Sequence, residues 1–425
     1  MVIPLSLASI KKLLTAFFEK NLFERLVVYI FFSHFAVKFV FELILREWSF
    51  VQSQHQQWIF YGLLALDYII SVRKVINIRV TVNPMSIMAF IFLIMTLQGL
   101  IVGIYRHNTP FIILNDTVPI LMIALNIFRM QSKTEIQKPI DLMFLFKFCM
   151  TLGFFASLIS MAAILRGAES DTAVIDGPVY FPLLFTGLIA LKNIPIIYLL
   201  MSGVSLLLAI PEMNRTTMGF IAMIVGSISL MKLIQRPAHG IMIILITIIA
   251  LGTFWTLLPE DSKTYTRIMN MTHIDLERRT GSIGERSAEW DAIQRTLRNN
   301  GKTIEYLGLG FGGTYTVQFT HQLNTDYGHA HYSWAWFNLR YGKSGYLYLI
   351  LFVSALLWNA SKSLYRREPM DLFVSYLCLM GLLYCVTHVN SVLLQSGLHF
   401  FYNGRTKQLL AEKEEREEKQ EQRAL

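Results

Sequence analysis

Apolar runs of about 20 residues, separated by short polar breaks, fill the chain from residue 26 to residue 258. A helix crossing a bilayer needs about that length, because the hydrocarbon core is ~30 Å thick and each residue rises ~1.5 Å. Nine runs are expected to span, at 26–45, 57–71, 85–104, 110–128, 141–165, 178–191, 194–210, 217–234 and 239–258, the second and sixth being the shortest. The pattern then breaks into 72 mixed, charged residues with glycine punctuation, 259–330, too polar to span and too long for an ordinary connection. Apolar runs resume at 341–360 and 370–387 and weaken over 390–403, before a Lys/Arg/Glu-rich helix former closes the chain. The expected fold class is therefore all-α: a polytopic transmembrane helical bundle of about 12 spans, with one large extracytoplasmic loop between spans nine and ten. Its expected divisions are an N-terminal segment 1–25, spans 26–258, the loop 259–330, C-terminal spans 331–403 and a charged helical tail 404–425.

Composition agrees with this pattern. The 425 residues are 54% hydrophobic and 16% charged, against about 45–50% and about 25% in a soluble domain. The formal charge of +9 is scattered in short groups and forms no basic stripe, so nucleic acid is not an expected partner. Its distribution instead sets orientation. With the N-terminus inside, cytoplasmic segments hold sixteen Lys and Arg, whereas the opposite short loops hold only Arg46, Arg106, Arg166 and Arg215. Positive charge resists translocation, so the N-terminus is expected in the cytoplasm and the long loop outside. No cleavable signal peptide is read: the first apolar run is too long for one and lacks a small-residue cleavage site. Cys149, Cys378 and Cys385 fall in apolar runs and are expected to pack rather than to pair.

Ionisable residues inside the runs are costly in lipid and need a partner or a cavity. His34, Lys38 and Glu42 recur every four residues on one helix face, and Asp67, Asp116 and Lys147 lie in other spans. Two readings stand: a Lys38–Glu42 pair with snorkelling ends, or the polar wall of a cavity for an anionic ligand.

Three segments flank or occupy the long loop. Gly284–Trp290 opens an amphipathic stretch through Ala292, Ile293 and Leu297, and its Arg286 has the fork of donors that suits a phosphate. Leu307–Gly313 holds Gly308, Gly310 and Gly313 at dinucleotide-motif spacing. No βαβ unit surrounds them, so a tight turn whose amides approach a ligand or the membrane surface is expected instead. Gly328–Trp336 carries His329 and His331, without Cys, His or Asp partners at metal spacing elsewhere on this face, so no metal or cofactor is expected. A histidine with pKa near 6.5 at the membrane surface suits general-base activation of a hydroxyl.

His331 is followed by Gly342 and Gly345, a register of eleven and then three residues. Upstream stand Arg286 with Trp290 four residues on, Gly308-x-Gly310, and Arg215 in the short connection Asn214-Arg215-Thr216-Thr217. In these motifs and in the order of spans and loop, the chain resembles the family of O-antigen ligases and O-antigen (surface polysaccharide) polymerases, integral glycan transferases of the bacterial inner membrane. It departs from the family pattern at Tyr332, often Asn; at Asn214, commonly Ser; and at Arg340, frequently acidic. The resemblance is at motif level from about 210 to 350 and topological elsewhere.

The resemblance implies transfer of a glycan from an undecaprenyl-diphosphate-linked donor to a hydroxyl of an acceptor glycan, either a lipid-linked chain or lipid A–core. Arg215 and Arg286 would bind the diphosphate and His331 would activate the acceptor, with Trp290, Gly308, Gly310, Gly342 and Gly345 in support. Other polysaccharide-assembly proteins are expected partners. Polymerase and ligase remain equally open, and a transporter or flippase of lipid-linked glycan, using the embedded charges as its path, is the alternative.

Overall fold

The computed structural model describes residues 15–45, 52–71, 84–132, 135, 138–165, 177–191, 193–209, 281–317, 325–327, 330, 332–366, 368–387 and 396–400, with isolated positions between 226 and 256. Helix α1 (Leu22–Val37) opens on a capping box: Asn21 accepts from the Phe23 amide at 2.8 Å, and Glu24 accepts from the Asn21 amide at 3.2 Å. These bonds satisfy amides that a helix start otherwise orphans. The helix widens into a π-helical run, Lys38–Leu45, whose Lys38 is buried. There follow α2 (Gln52–Ile70), α3 (Pro84–Tyr105), α4 (Pro110–Met130), α5 (Leu142–Leu165), α6 (Gly177–Ala190) and α7 (Ile196–Ala209).

The described part of the expected long loop is largely ordered structure. It contains α8 (Gly281–Asn299), α9 (Lys302–Leu307) and two short antiparallel strands, β1 (Tyr315–Val317) and β2 (Thr325–Tyr327), with Tyr315 opposite Tyr327. Helices α10 (Ser333–Tyr341), α11 (Ser344–Arg366) and α12 (Pro369–Thr387) complete the bundle.

Among the described residues, four helices are long and apolar enough to cross a membrane, over Ser86–Tyr105, Pro110–Met130, Leu142–Ala162 and Ser344–Ser361, and three shorter apolar helices lie at Val179–Ala190, Ile196–Ser205 and Pro369–Leu383. Expected spans 217–234 and 239–258 fall outside the described residues apart from isolated positions. The expected span at 341–360 starts later, at Ser344. Before it stands α10, a separate helix of nine residues, roughly 14 Å long and so less than half a bilayer core. In the weak stretch 390–403, the described residues 396–400 form a turn with a 3-10 segment, Leu398–Phe400. The His399 carbonyl there accepts from Asn359 Nδ2 at 3.1 Å. All three cysteines are free and buried.

The bundle has two distinct ends. At one, Asp67 is fully buried and accepts from Arg25 Nε (2.8 Å), Arg129 (2.9 Å), the Tyr29 hydroxyl (2.7 Å) and the Ser71 hydroxyl (3.3 Å). Glu135 extends the cluster to Arg25 at 3.6 Å and Lys138 at 3.1 Å, and accepts from the Leu22 amide at 2.7 Å. These charges join α1, α2, α4 and the connection before α5, so Asp67 is a buried crosslink. The other end is the turn 106–109 between α3 and α4, where Pro110 starts the second helix with a φ already suited to it. Here Arg106 donates to Asn300 at 2.8 Å, bringing the end of α8 onto this turn.

Candidate functional site

The Leu309–Gly313 loop is seated at the 106–109 end, between α3, α4 and α10. Its Leu309 and Gly310 amides donate to the Leu339 and Arg340 carbonyls at 2.8 and 3.0 Å, the Phe311 amide to the Gly99 carbonyl at 2.8 Å, and the Gly313 amide to Gly310 at 3.3 Å. The Gly312 amide donates to Asp116 Oδ2 at 2.8 Å. Asn108 Nδ2 closes the seat by donating to the Leu309 and Phe311 carbonyls at 2.9 and 2.8 Å. All five loop amides thus meet protein acceptors, which corrects the expectation that they approach a ligand or the membrane surface.

Glycine is required here for closeness as well as for backbone conformation. Gly310 has φ +70°, and a Cβ on it would lie 2.3 Å from the Gly103 amide nitrogen. On the facing helix, a Cβ on Gly103 would stand 2.4 Å from the Phe311 carbonyl, and one on Gly99 would stand 2.7 Å from the Phe311 ring. Gly99 and Gly103, one turn apart on α3, therefore form a notch that admits a backbone and a fully buried phenyl ring.

Gly342 and Gly345 serve the neighbouring reversal. Gly342, at φ +59°, ends α10 by donating to the Asn338 carbonyl at 2.7 Å, and a Cβ on it would lie 2.5 Å from the Glu305 carbonyl and 2.6 Å from the Gly308 amide. A Cβ on Gly345 would lie 2.3 Å from the Phe337 carbonyl. The register of glycines behind His331 thus lets α10 fold back on α11 while the Gly308 backbone presses against both. Lys343, in that turn, pairs with Glu305 at 2.8 Å. The Lys343 ammonium holds the half-buried Glu305 carboxyl below its ordinary range, and Glu305 raises Lys343 in return.

Beneath the loop, a buried ion pair joins α4 and α10. Arg340, fully buried, meets Asp116 Oδ2 at 2.8 Å and also donates to the Gly313 carbonyl. The position read as a departure from an acidic family residue is therefore the partner of an embedded aspartate. Asp116 inside an apolar run was the visible signal of a partner, but Arg340 stands just before the run at 341–360, and their meeting required the fold.

Helix α8 supplies the chemistry-bearing face. Ala292, Ile293 and Leu297 are buried, and residues three and four apart on a helix share a side. That side also carries Glu289, which accepts from the Tyr315 hydroxyl and ties β1 to the helix. Gln294 Nε2 donates to Asn338 Oδ1 at 2.6 Å, joining α8 to α10. One turn outward, Trp290 stacks on Trp334 with centroids 4.9 Å apart and planes 13° apart, while the Arg286 guanidinium lies 4.7 Å from the Tyr332 ring. Arg286 has no carboxylate partner among the described residues. The Tyr332 ring supports the plane of the guanidinium, whose fork of donors suits an oxyanion.

Two of the expected site residues, Arg286 and Trp290, therefore meet the segment that follows His331. His331, His329 and Arg215 lie outside the described residues, as does the Glu42 side chain of the expected Lys38–Glu42 pair. Among the described residues no three His, Cys, Asp or Glu side chains gather as a metal site would need. The roles of Tyr332 and Trp334 as partners of Arg286 and Trp290 were not read from the sequence; two aromatics spaced two apart beside a helix with Arg and Trp spaced four apart were the available signal. No protein-family model matches the chain, and no curated protein matches it.

Proposed function

We propose that this chain is a membrane glycosyltransferase of the O-antigen ligase or O-antigen polymerase type, in the bacterial inner membrane with its N-terminus cytoplasmic and about 12 spans. The observation that carries this reading is the contact of Arg286 and Trp290 with Tyr332 and Trp334, directly after His331 in the chain. It gathers two separate motifs of the family resemblance at one end of an apolar bundle.

On this reading the acceptor hydroxyl attacks the anomeric carbon of an undecaprenyl-diphosphate-linked glycan. The bond from that carbon to the diphosphate oxygen breaks, and His331 takes the hydroxyl proton. Charge grows on the leaving diphosphate, where Arg286 and Arg215 stabilise it without a metal. The donor is lipid-linked glycan, the acceptor a lipid-linked chain or lipid A–core, and other polysaccharide-assembly proteins are partners. The flippase alternative needs embedded charges free to serve a moving substrate. Asp116 is instead committed to Arg340 and Gly312, and Asp67 to Arg25 and Arg129.

Purified protein in detergent, with no second compartment, tests the reading by joining a lipid-linked donor to an acceptor glycan. A flippase gives no product. Replacing His331, Arg215 or Arg286 by Ala is expected to abolish transfer while the protein still accumulates; wild-type product from His331→Ala removes the base assignment. Loss of the gene separates the two acceptors: single repeats on the core indicate a polymerase, and bare core with accumulated carrier-linked chains a ligase.

A further inference from the structure

Trp334 is the exception on its helix. The other eight side chains of α10 are buried, whereas Trp334 is 42% exposed. Trp290 covers one face of its indole at 4.9 Å and 13°, and Tyr332 meets it edge-on at 5.6 Å and 64°. The ring is thereby braced on one face and at one edge while 42% of its surface stays exposed. An offset aromatic stack adds to the stabilisation that area burial gives, and a ring already braced loses less entropy when something binds to it.

We infer that the open face of Trp334 is a stacking platform for a sugar ring of the acceptor glycan; the word acceptor rests on the transferase reading above. A pyranose ring presents a patch of C–H bonds on its face and hydroxyls around its rim. A flat indole matches the face and leaves the rim to hydrogen-bond outward. The neighbouring Arg286, spread over Tyr332, sets the group assigned to the leaving diphosphate beside this platform. His331, the expected base, lies three residues before Trp334 in the chain. An indole that merely anchors the protein at the membrane interface needs no second indole behind it, and a bulky apolar residue substitutes for it in part.

The test uses full-length protein in detergent, with calorimetric titration of oligosaccharide released by mild acid from the cell's own surface polysaccharide, and no donor present. Wild type and Trp58→Leu, an exposed tryptophan on α2 stacked on Phe111, are expected to bind alike. Trp334→Leu should bind about tenfold more weakly, and Trp334→Tyr should come within about threefold of wild type. Equal binding by wild type and Trp334→Leu, or no binding by wild type, overturns the platform. Transfer assays run in parallel read the other question: Trp334→Leu should raise the acceptor KM and leave the donor KM unchanged. Trp334-dependent binding without any wild-type transfer would keep the platform and remove the transferase reading.

Discussion

Asp116 and Arg340 show what a single residue contributes here. A carboxylate and a guanidinium taken out of water each cost several kcal/mol, and that cost is met only when the partners are close and their remaining donors and acceptors are used. Both conditions hold: the pair meets at 2.8 Å, Asp116 also accepts from the Gly312 amide, and Arg340 also donates to the Gly313 carbonyl. Arg340→Met strands the aspartate and is expected to cost about 3–5 kcal/mol, read as a fall in the thermal midpoint of protein purified in detergent. Asp116→Leu combined with Arg340→Met removes both charges and should be more stable than Arg340→Met alone. If the double variant instead loses the full sum of the two single losses, the charges are not coupled and the seat is held by its backbone bonds. The sequence displayed Asp116 as an ionisable group in apolar surroundings, which demanded a partner. It did not display which partner, because the pairing depends on α10 lying beside α4.

At the scale of elements, long apolar runs were readable to within a few residues wherever polar breaks bounded them: 85–104 is Pro84–Tyr105, and 370–387 is Pro369–Thr387. The separation of α10 from α11 was not readable, since Trp334–Tyr341 is rich in aromatic and apolar residues and runs on into the span. A glycine with positive φ and a close backbone neighbour makes that break, and hydropathy carries no record of it. The seat of the glycine loop can be tested at the same scale. Gly310→Ala places a Cβ 2.3 Å from backbone at a left-handed position, which should destabilise the protein by about 1–3 kcal/mol. Gly62→Ala on α2 meets nothing within 4 Å and should be neutral or stabilising by up to about 1 kcal/mol, because alanine is the better helix former. A similar midpoint for both variants would mean that the loop is not seated in the Gly99–Gly103 notch.

The α9 clasp adds a pH dependence. Glu305 is depressed, so its contribution is fully present above its ordinary value of 4.5 and is lost as pH falls through the lower folded value. Lys343 is raised, so its contribution is complete below 10.5 and is lost as pH rises through the higher folded value. The protection factors of amides over 301–308, with the intrinsic pH dependence of exchange divided out, should therefore be flat near neutrality and fall at both extremes, the acid limb disappearing in Glu305→Gln. An acid limb that persists in that variant assigns the effect to another carboxylate.

For the molecule as a whole, the two ends of the bundle bear on orientation. The Arg25–Asp67–Arg129–Glu135 cluster gathers residues from segments rich in Lys and Arg, and the 106–109 turn, Asn300 and the glycine loop occupy the opposite end. The structure thus puts the charge-poor turn and the described part of the long loop together, the grouping that the distribution of positive charge leads one to expect. Which end faces outward can be measured with single reporters, because Cys149, Cys378 and Cys385 are buried and free and should resist a membrane-impermeant maleimide. His107→Cys and Lys302→Cys, both at exposed positions of the loop end, should label in intact spheroplasts. Glu19→Cys, exposed beside the charged cluster, should label only after the membrane is opened. Labelling of His107→Cys and Lys302→Cys from opposite sides would contradict the Arg106–Asn300 contact itself, whereas labelling of Glu19→Cys from outside would keep the fold and invert its orientation. In the inverted case, Arg286 and His331 would face the cytoplasm. A transferase acting on glycans already delivered to the outer face would then have no substrate there, so this one measurement decides the sidedness on which the proposed chemistry depends.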